Sequence, residues 1–370
     1  MLNYSFRRLR LSGFGLLVLI LVAVWGVSAA GSGDPHTSPG TLTPATTGGT
    51  VYGISDPTLL GEASSVQVQQ LKAMKALGVT SVRLEANWYW GQPNGPRGSY
   101  VWAPIDQALA SIRQAGLSAD LVIDGCPPWA AVAGTHGSEF AQPASPAAFA
   151  TWARAVAARY AGKGVKFFEI WNEENINWAP KPNPAAYTAD LKAAYAAIKA
   201  ADRSAVVLSG GLAPAVNTST TYDPRTFLAD MYADGAKGSF DGVGDHPYSF
   251  PWPPGEYEPW SGWSQLSQTS PSLRSIMVKN GDSAKKIYIT EYGAPTSGPN
   301  SISESQQSAE LTQAIAQVKH LSFIGSLYIY TWADIAGQTA GDNGYGLRTD
   351  KNAQKSAYAA VAAALAPTRK

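Results

Sequence analysis

The chain has one cysteine, Cys126, in 370 residues. That excludes an internal disulfide and any zinc site built on cysteines. Its four histidines are scattered, so no histidine cluster presents itself, and no metal or other cofactor is expected. Charge is also scarce: Asp, Glu, Lys and Arg make up 15%, with 28 basic against 27 acidic residues. A nucleic-acid binder would carry a basic excess, so no nucleic-acid partner is expected. The abundant residues are aromatic or turn-forming, with 12 Trp, 17 Tyr, 36 Gly and 25 Pro. Low charge with many tryptophans suits a surface that handles neutral polar molecules such as sugars. A large core with aromatic-rich loops explains the composition equally well.

The N-terminus reads as a targeting segment. Arg7, Arg8 and Arg10 precede an uncharged stretch, Leu11 to Ala30, which closes on the small residues Val27-Ser28-Ala29. This is the order of a secretory signal. The apolar run of about 19 residues is also long enough to span a bilayer, so an uncleaved anchor is the alternative. Arginines on the N-terminal side would leave the body outside in that case. No cysteine follows the run, which excludes a bacterial lipoprotein anchor. Without the three arginines the body carries 25 basic and 27 acidic residues, a net charge of −2. Residues 1–30 are thus expected to be signal or anchor, and 31–49, rich in Ser, Thr, Gly and Pro, a flexible tether. The protein is expected outside the cytoplasm, secreted or attached to the envelope, as a monomer. Any membrane contact is expected only through the N-terminal segment.

From Thr50 on, short apolar runs alternate with longer Ala-rich amphipathic ones. Predicted strands cover 51–54, 82–85, 119–124, 165–171, 205–209, 240–245, 287–290 and 327–331. Predicted helices cover 64–77, 105–115, 145–160, 184–200, 224–232, 271–279, 303–319 and 353–365. Strict alternation makes the strands parallel. Eight units of about 39 residues suit one (β/α)8 TIM barrel over 50–370 rather than the two domains that length alone suggests. A doubly wound sheet is the alternative. It would usually carry a glycine-rich phosphate loop after the first strand, and Ile54-Ser55-Asp56-Pro57 is not one.

A barrel places chemistry at the C-terminal ends of its strands. The fourth strand ends in Trp171-Asn172-Glu173-Glu174-Asn175 and the seventh in Thr290-Glu291-Tyr292-Gly293. Barrel closure brings two such ends to one face. Glycosidic hydrolysis needs two carboxyl groups, one to protonate the leaving oxygen and one to attack the anomeric carbon. A lone Glu at a strand end is usually a helix cap or a surface ion pair; a pair on one face is not so easily explained. Glu174 is a rival acid.

With these motifs the chain resembles the clan A glycoside hydrolases, most closely the branch around family 39, with family 5 cellulases as relatives. The resemblance implies Glu173 as acid/base, set in register by Asn172, and Glu291 as nucleophile, with retention of configuration. It implies Arg83 beside the nucleophile, His246 and Tyr248 near the pair, and Trp332 as floor of the sugar subsite. Tyr345-Gly346-Leu347, Lys355 and Tyr358 also look like family members. Glu174 departs from the proline common in relatives, which puts the leaving-group subsite in question. Arg83 would favour an ionised Glu291, and two neighbouring like charges do not both form readily.

Trp88, Tyr89, Trp90, Trp129 and Trp178 follow strands two to four. Trp252, Trp260 and Trp263 lie in a Pro-rich insertion, Ser249 to Thr269. Trp88, Trp129 and Trp178 are the leading candidates to stack on sugar, with loop packing as the other account. Cys126 reads as a small buried residue. The expected activity is an exported retaining glycosidase acting on a poly- or oligosaccharide. A barrel that binds wall polysaccharide without cleaving it is the alternative.

Overall fold

The computed structural model describes residues 49–366 apart from 136, 299 and 336–343. The expected signal or anchor segment, and all of the expected tether except Gly49, lie outside the described residues. Among the described residues no helix is long and apolar enough to cross a membrane.

Eight parallel strands close into a barrel in chain order. They are β1 (Val51–Ser55), β2 (Ser81–Asn87), β3 (Ser118–Asp124), β4 (Val165–Asn172), β5 (Val206–Gly211), β6 (Gly242–Asp245), β7 (Lys286–Tyr292) and β8 (Ile324–Tyr330). The helices are α1 (Ser64–Leu77), α2 (Trp88–Gly91), α3 (Ala103–Gln114), α4 (Pro146–Tyr160), α5 (Pro184–Ala201), α6 (Pro224–Ala233), α7 (Gly262–Ser267), α8 (Leu273–Lys279), α9 (Glu304–Val318) and α10 (Ser356–Leu365). This is the (β/α)8 barrel that the alternation predicts, and not a doubly wound sheet.

Helix starts follow local chemistry. Ser145, Asn183 and Asp223 each accept a backbone N–H of the first turn and are each followed by proline, which presets φ and needs no N–H partner there. Gly78 ends α1 at φ 106°, a left-handed cap that glycine takes without strain. Two short helices escape the sequence pattern. With four residues in α2 and six in α7, neither completes two turns, so no amphipathic period develops. Both are held by caps, Asn87 and Ser261. The helix expected from Pro271 starts at Leu273, where Ser272 and Ser275 form a reciprocal capping box.

Outward strand residues such as Val82, Leu84 and Ala86 meet the helices in one continuous core. Trp152 of α4 anchors one sector: it stacks on Trp102 at 5.1 Å and donates its indole N–H to the Ala86 carbonyl at 3.2 Å. Burying such a side chain contributes about 2–3 kcal/mol. The floor inside the barrel is a smaller cluster of Val51, Phe167, Leu208 and Tyr328. Large rings there need small neighbours. A Cβ at Gly53 would lie 2.3 Å from the Tyr328 ring, and one at Gly242 2.3 Å from Tyr288. Above this floor the interior turns polar, and that change positions the site.

Candidate active site

Regular strand alternation breaks at both carboxylates. In β4, Phe167 and Glu169 point inward. Trp171 takes φ 73°, which sends its indole outward against Phe149 and Trp178 and gives the next inward place to Asn172. Glu173 follows at φ 51°. Two non-glycine residues in left-handed backbone are costly, about 1–3 kcal/mol each, and such residues gather at functional sites. In β7 the pairing with β8 slips between Ile289 and Tyr292, so an extra residue bulges there. Bulges re-aim side chains, and here Glu291 is turned into the mouth.

Arg83 of β2 ties the barrel ends together. Its Nη1 donates to Glu291 Oε1 at 2.6 Å and to Ser55 Oγ at 3.2 Å. Its Nη2 donates to Asn172 Oδ1 at 2.6 Å and to Glu169 Oε1 at 3.1 Å, and its Nε to Glu169 Oε2 at 2.7 Å. One guanidinium thus links β1, β2, β4 and β7. Tyr248 donates to Glu291 Oε2 at 2.8 Å. Burial alone would raise the Glu291 carboxyl. The charges of His246 and Arg83 and the hydrogen bonds from Tyr248 and Arg83 outweigh it and hold the carboxyl below its usual range.

Glu173 has different company. His246 Nδ1 lies 3.0 Å from its Oε1, and Asn177 donates to its Oε2 at 3.0 Å. His246 Nε2 lies 3.1 Å from Thr290 Oγ1, which donates to Glu169 Oε1 at 3.0 Å. His246 fits only because residue 211 is glycine: a Cβ there would sit 2.1 Å from Nε2. The facing ligand atoms of Glu173, His246 and Glu291 all lie within 4.8 Å of one another. That spacing is close enough to hold a metal ion, but the donors are engaged. His246 has a partner at each ring nitrogen, and Arg83 places a positive charge on Glu291. Coordination would have to displace these contacts.

The aromatic candidates divide. Trp88 is 1% exposed; it packs edge-on to Trp129 and donates to Gln92 Oε1 at 3.0 Å. Trp178 is 2% exposed between Trp171 and Tyr187. Both are core residues and offer no face to a sugar. The physical reason is α2 for Trp88 and the outward turn of Trp171 for Trp178. Trp332 is buried too, between Tyr358 and the Arg348 guanidinium. Trp129 is partly exposed, with its N–H on the Gln92 carbonyl at 2.9 Å. In the insertion, Trp252 and Trp260 pack on each other at 4.5 Å, while Trp263 is buried and donates to Gln317 at 2.8 Å. Cys126 is fully buried, and burial pushes its thiol up to about 12.

Glu174 is fully buried over Gly210, outside the Glu173–His246–Glu291 group, and burial pushes its carboxyl up to about 8. It faces away from Glu291, which removes it as a rival. The sequence pattern does not single out Glu169, Thr290, Ser55 and Asn177 as site residues. Glu169 had a signal: an acid at an inward position of the otherwise apolar Phe167-Phe168-Glu169-Ile170 run. The other three had none, because each acts through a contact made by barrel closure.

No protein-family model matches the sequence, and no curated protein matches it. Solved structures do. A family 39 glycoside hydrolase from Bacteroides cellulosilyticus WH2 superposes with a TM-score of 0.66 at 18% identity, over 85% of this chain and 63% of that one. A monomeric β-xylosidase from Caulobacter crescentus CB15 gives 0.60 at 19% identity, over 85% and 66%. A GH5_18 protein from Streptomyces cattleya gives 0.63 at 16%, over 87% and 82%. The chain therefore spans about two thirds of the length of the first two. What these likenesses establish is the fold: the chain has the barrel of the family 39 and family 5 glycoside hydrolases.

Proposed function

We propose that the chain is an exported glycoside hydrolase that cleaves a poly- or oligosaccharide with retention. The observation that carries this is the pairing of two strand-end carboxylates within 4.8 Å, of which only Glu291 is held by Arg83 and Tyr248. Retaining glycosidases keep their carboxyl groups about 5–5.5 Å apart, whereas inverting ones leave about 6.5–9.5 Å for a water.

The roles follow from the contacts. Glu291, ionised beside Arg83, attacks the anomeric carbon. Glu173 gives its proton to the leaving oxygen, and the C–O bond breaks as the glycosyl ester forms. Glu173 then takes a proton from water as the water attacks the ester, releasing the sugar and restoring Glu291. Asn172 has its Oδ1 committed to Arg83, an obligate donor, so its amide N–H2 is the free end. That group is placed to donate to the sugar 2-OH, a contact that strengthens in the transition state. His246 positions Glu173. Trp129 is the aromatic ring among the leading candidates that keeps an exposed face. Export rests on the Arg7 to Ala30 pattern and is tested by cell fractionation with and without residues 1–30.

The test of activity is turnover of activated aryl glycosides. Glu291→Ala is expected to abolish it, and Glu173→Ala to slow poor leaving groups more than good ones. Full activity in Glu291→Ala overturns the mechanism. Glycan binding by the wild type with no product from any glycan favours a non-catalytic binding barrel.

A further inference from the structure

We propose that the barrel mouth beside β2 and β3 is a subsite for a sugar that carries a free amino group, read by Glu85, Asp124 and Glu139 and stacked on Trp90. The inference deepens the glycosidase reading and rests on it for the neighbouring catalytic centre.

Strand register builds the site. Arg83, Glu85 and Asn87 follow one another on the inner face of β2, with Glu85 one step nearer the mouth than Arg83. Asn87 pairs with Asp124 across β3. Gly125, at φ 72°, leaves room for the Asn87 side chain, since a Cβ there would lie 2.3 Å from Asn87 Oδ1. The loop after β3 then returns: Cys126 N–H donates to the Glu139 carbonyl at 2.9 Å. The Glu139 carboxylate accepts the Trp90 indole N–H at 3.1 Å. That bond holds a ring that is 51% exposed, a cost in apolar surface that a stacked sugar would relieve.

The buried member points to a ligand. Asp124 is 3% exposed, and its Oδ1 has no hydrogen-bond partner among the described residues. A buried, unsatisfied carboxylate oxygen is expensive. Its charged neighbours are Glu85 and Glu139, and the nearest cation, Arg83, has given its N–H groups to Glu169, Glu291, Asn172 and Ser55. Burial pushes Glu85 up to about 7 against the pull of Arg83, with the charges of Glu139 and Glu291 adding, and it pushes Asp124 well above its usual range, with Glu85 and Glu139 adding. An incoming ammonium would supply both the hydrogen bonds and the opposite charge that the chain does not. A metal ion fits less well. The sole group of three such ligand residues within 4.8 Å among the described residues is Glu173, His246 and Glu291. An ammonium needs only one or two of these oxygens within hydrogen-bond reach, with the others acting by charge, and the Trp90 face suits the ring. The same charges disfavour a uronic acid.

The experiment is calorimetric binding to Glu291→Ala at low salt and about pH 7, where Glu85 is about half ionised and an amine of the α-amino range is still mostly protonated. The probes are chitosan tetrasaccharide, its fully N-acetylated form and cellotetraose. The amine form is expected to bind at least about tenfold more tightly, and Glu85→Gln and Glu139→Gln each to weaken it by about fivefold and cellotetraose clearly less. Glu139 lies in a loop, so its variant separates a lost contact from a misfolded barrel. Equal binding of the three oligosaccharides overturns the proposal, as does an unaltered amine preference in Glu139→Gln. Wild-type turnover of neutral glycosides without that preference refutes the amine subsite and leaves the glycosidase standing. The preference without any turnover does the reverse.

Discussion

Replacing Glu174 by Gln separates the roles of the two adjacent carboxyls that follow β4. Glu174 is fully buried with the Tyr187 hydroxyl beside it, and burial pushes it up to about 8 from an ordinary 4.5. The folded chain therefore holds a proton that the unfolded chain releases between these values. Where the folded state binds more protons, stability falls as pH rises. Each unit is worth about 1.4 kcal/mol, so this carboxyl costs about 3 kcal/mol at pH 7 and almost nothing at pH 4.5. Gln keeps the shape and removes the proton. Melting temperatures of wild type and Glu174→Gln, followed from about pH 4.5 to 8, are expected to diverge in favour of the variant by about 5 °C at the upper end. Asp190 and Glu310, also pushed to about 8 by burial, slope both curves alike and cancel in the difference. Activity per folded molecule is expected to stay within a few-fold, unlike that of Glu173→Gln. Parallel melting curves would refute the burial argument, and loss of turnover in the Glu174 variant would return it as the acid.

Three other substitutions probe the site. Tyr248→Phe removes a hydrogen bond that helps hold Glu291 low, so the acidic limb of the kcat/KM pH profile is expected to move up; an unmoved limb means Glu291 is not the ionising group. Gly211→Ala would put a methyl 2.1 Å from His246 Nε2 and 2.7 Å from Thr290 Oγ1, and kcat/KM is expected to fall at least about 10²-fold. Trp88→Ala is expected to cost about 3–5 kcal/mol in urea titration as a core deletion. Its KM for oligosaccharide should be close to wild type, whereas a large KM rise with unchanged stability would make Trp88 a sugar contact.

The barrel and both strand-end carboxylates were legible because they rest on local signals. Proline after an Asn, Asp or Ser cap marks a helix start, and Asn172-Glu173 and Glu291-Tyr292-Gly293 close apolar runs. What escaped depends on chain elements far apart in sequence. Trp88 looked like a loop aromatic because nothing local reveals a single-turn helix capped by Asn87. Trp178 is buried because Trp171 turns outward through a positive φ, which no residue type announces. Glu169 was visible as an acid in an apolar strand. That Arg83, Thr290 and the Gly211 N–H all meet it emerges only once β2, β4, β5 and β7 are curled together.

That convergence gives the molecule a built-in strain gauge. Arg83 reaches across the mouth to partners on β1, β4 and β7, so a small relative slide of the staves pulls Glu291 and Asn172 out of line. The thinnest seam is between β5 and β6, where regular pairing rests on Leu208 opposite Gly242 and glycines line both strands. His246 hangs from the end of that seam through its N–H on the Leu212 carbonyl. Warming should loosen this joint first. Catalytic output should then fade several degrees before the helices melt, and a bound sugar, by clamping the mouth, should hold the seam shut.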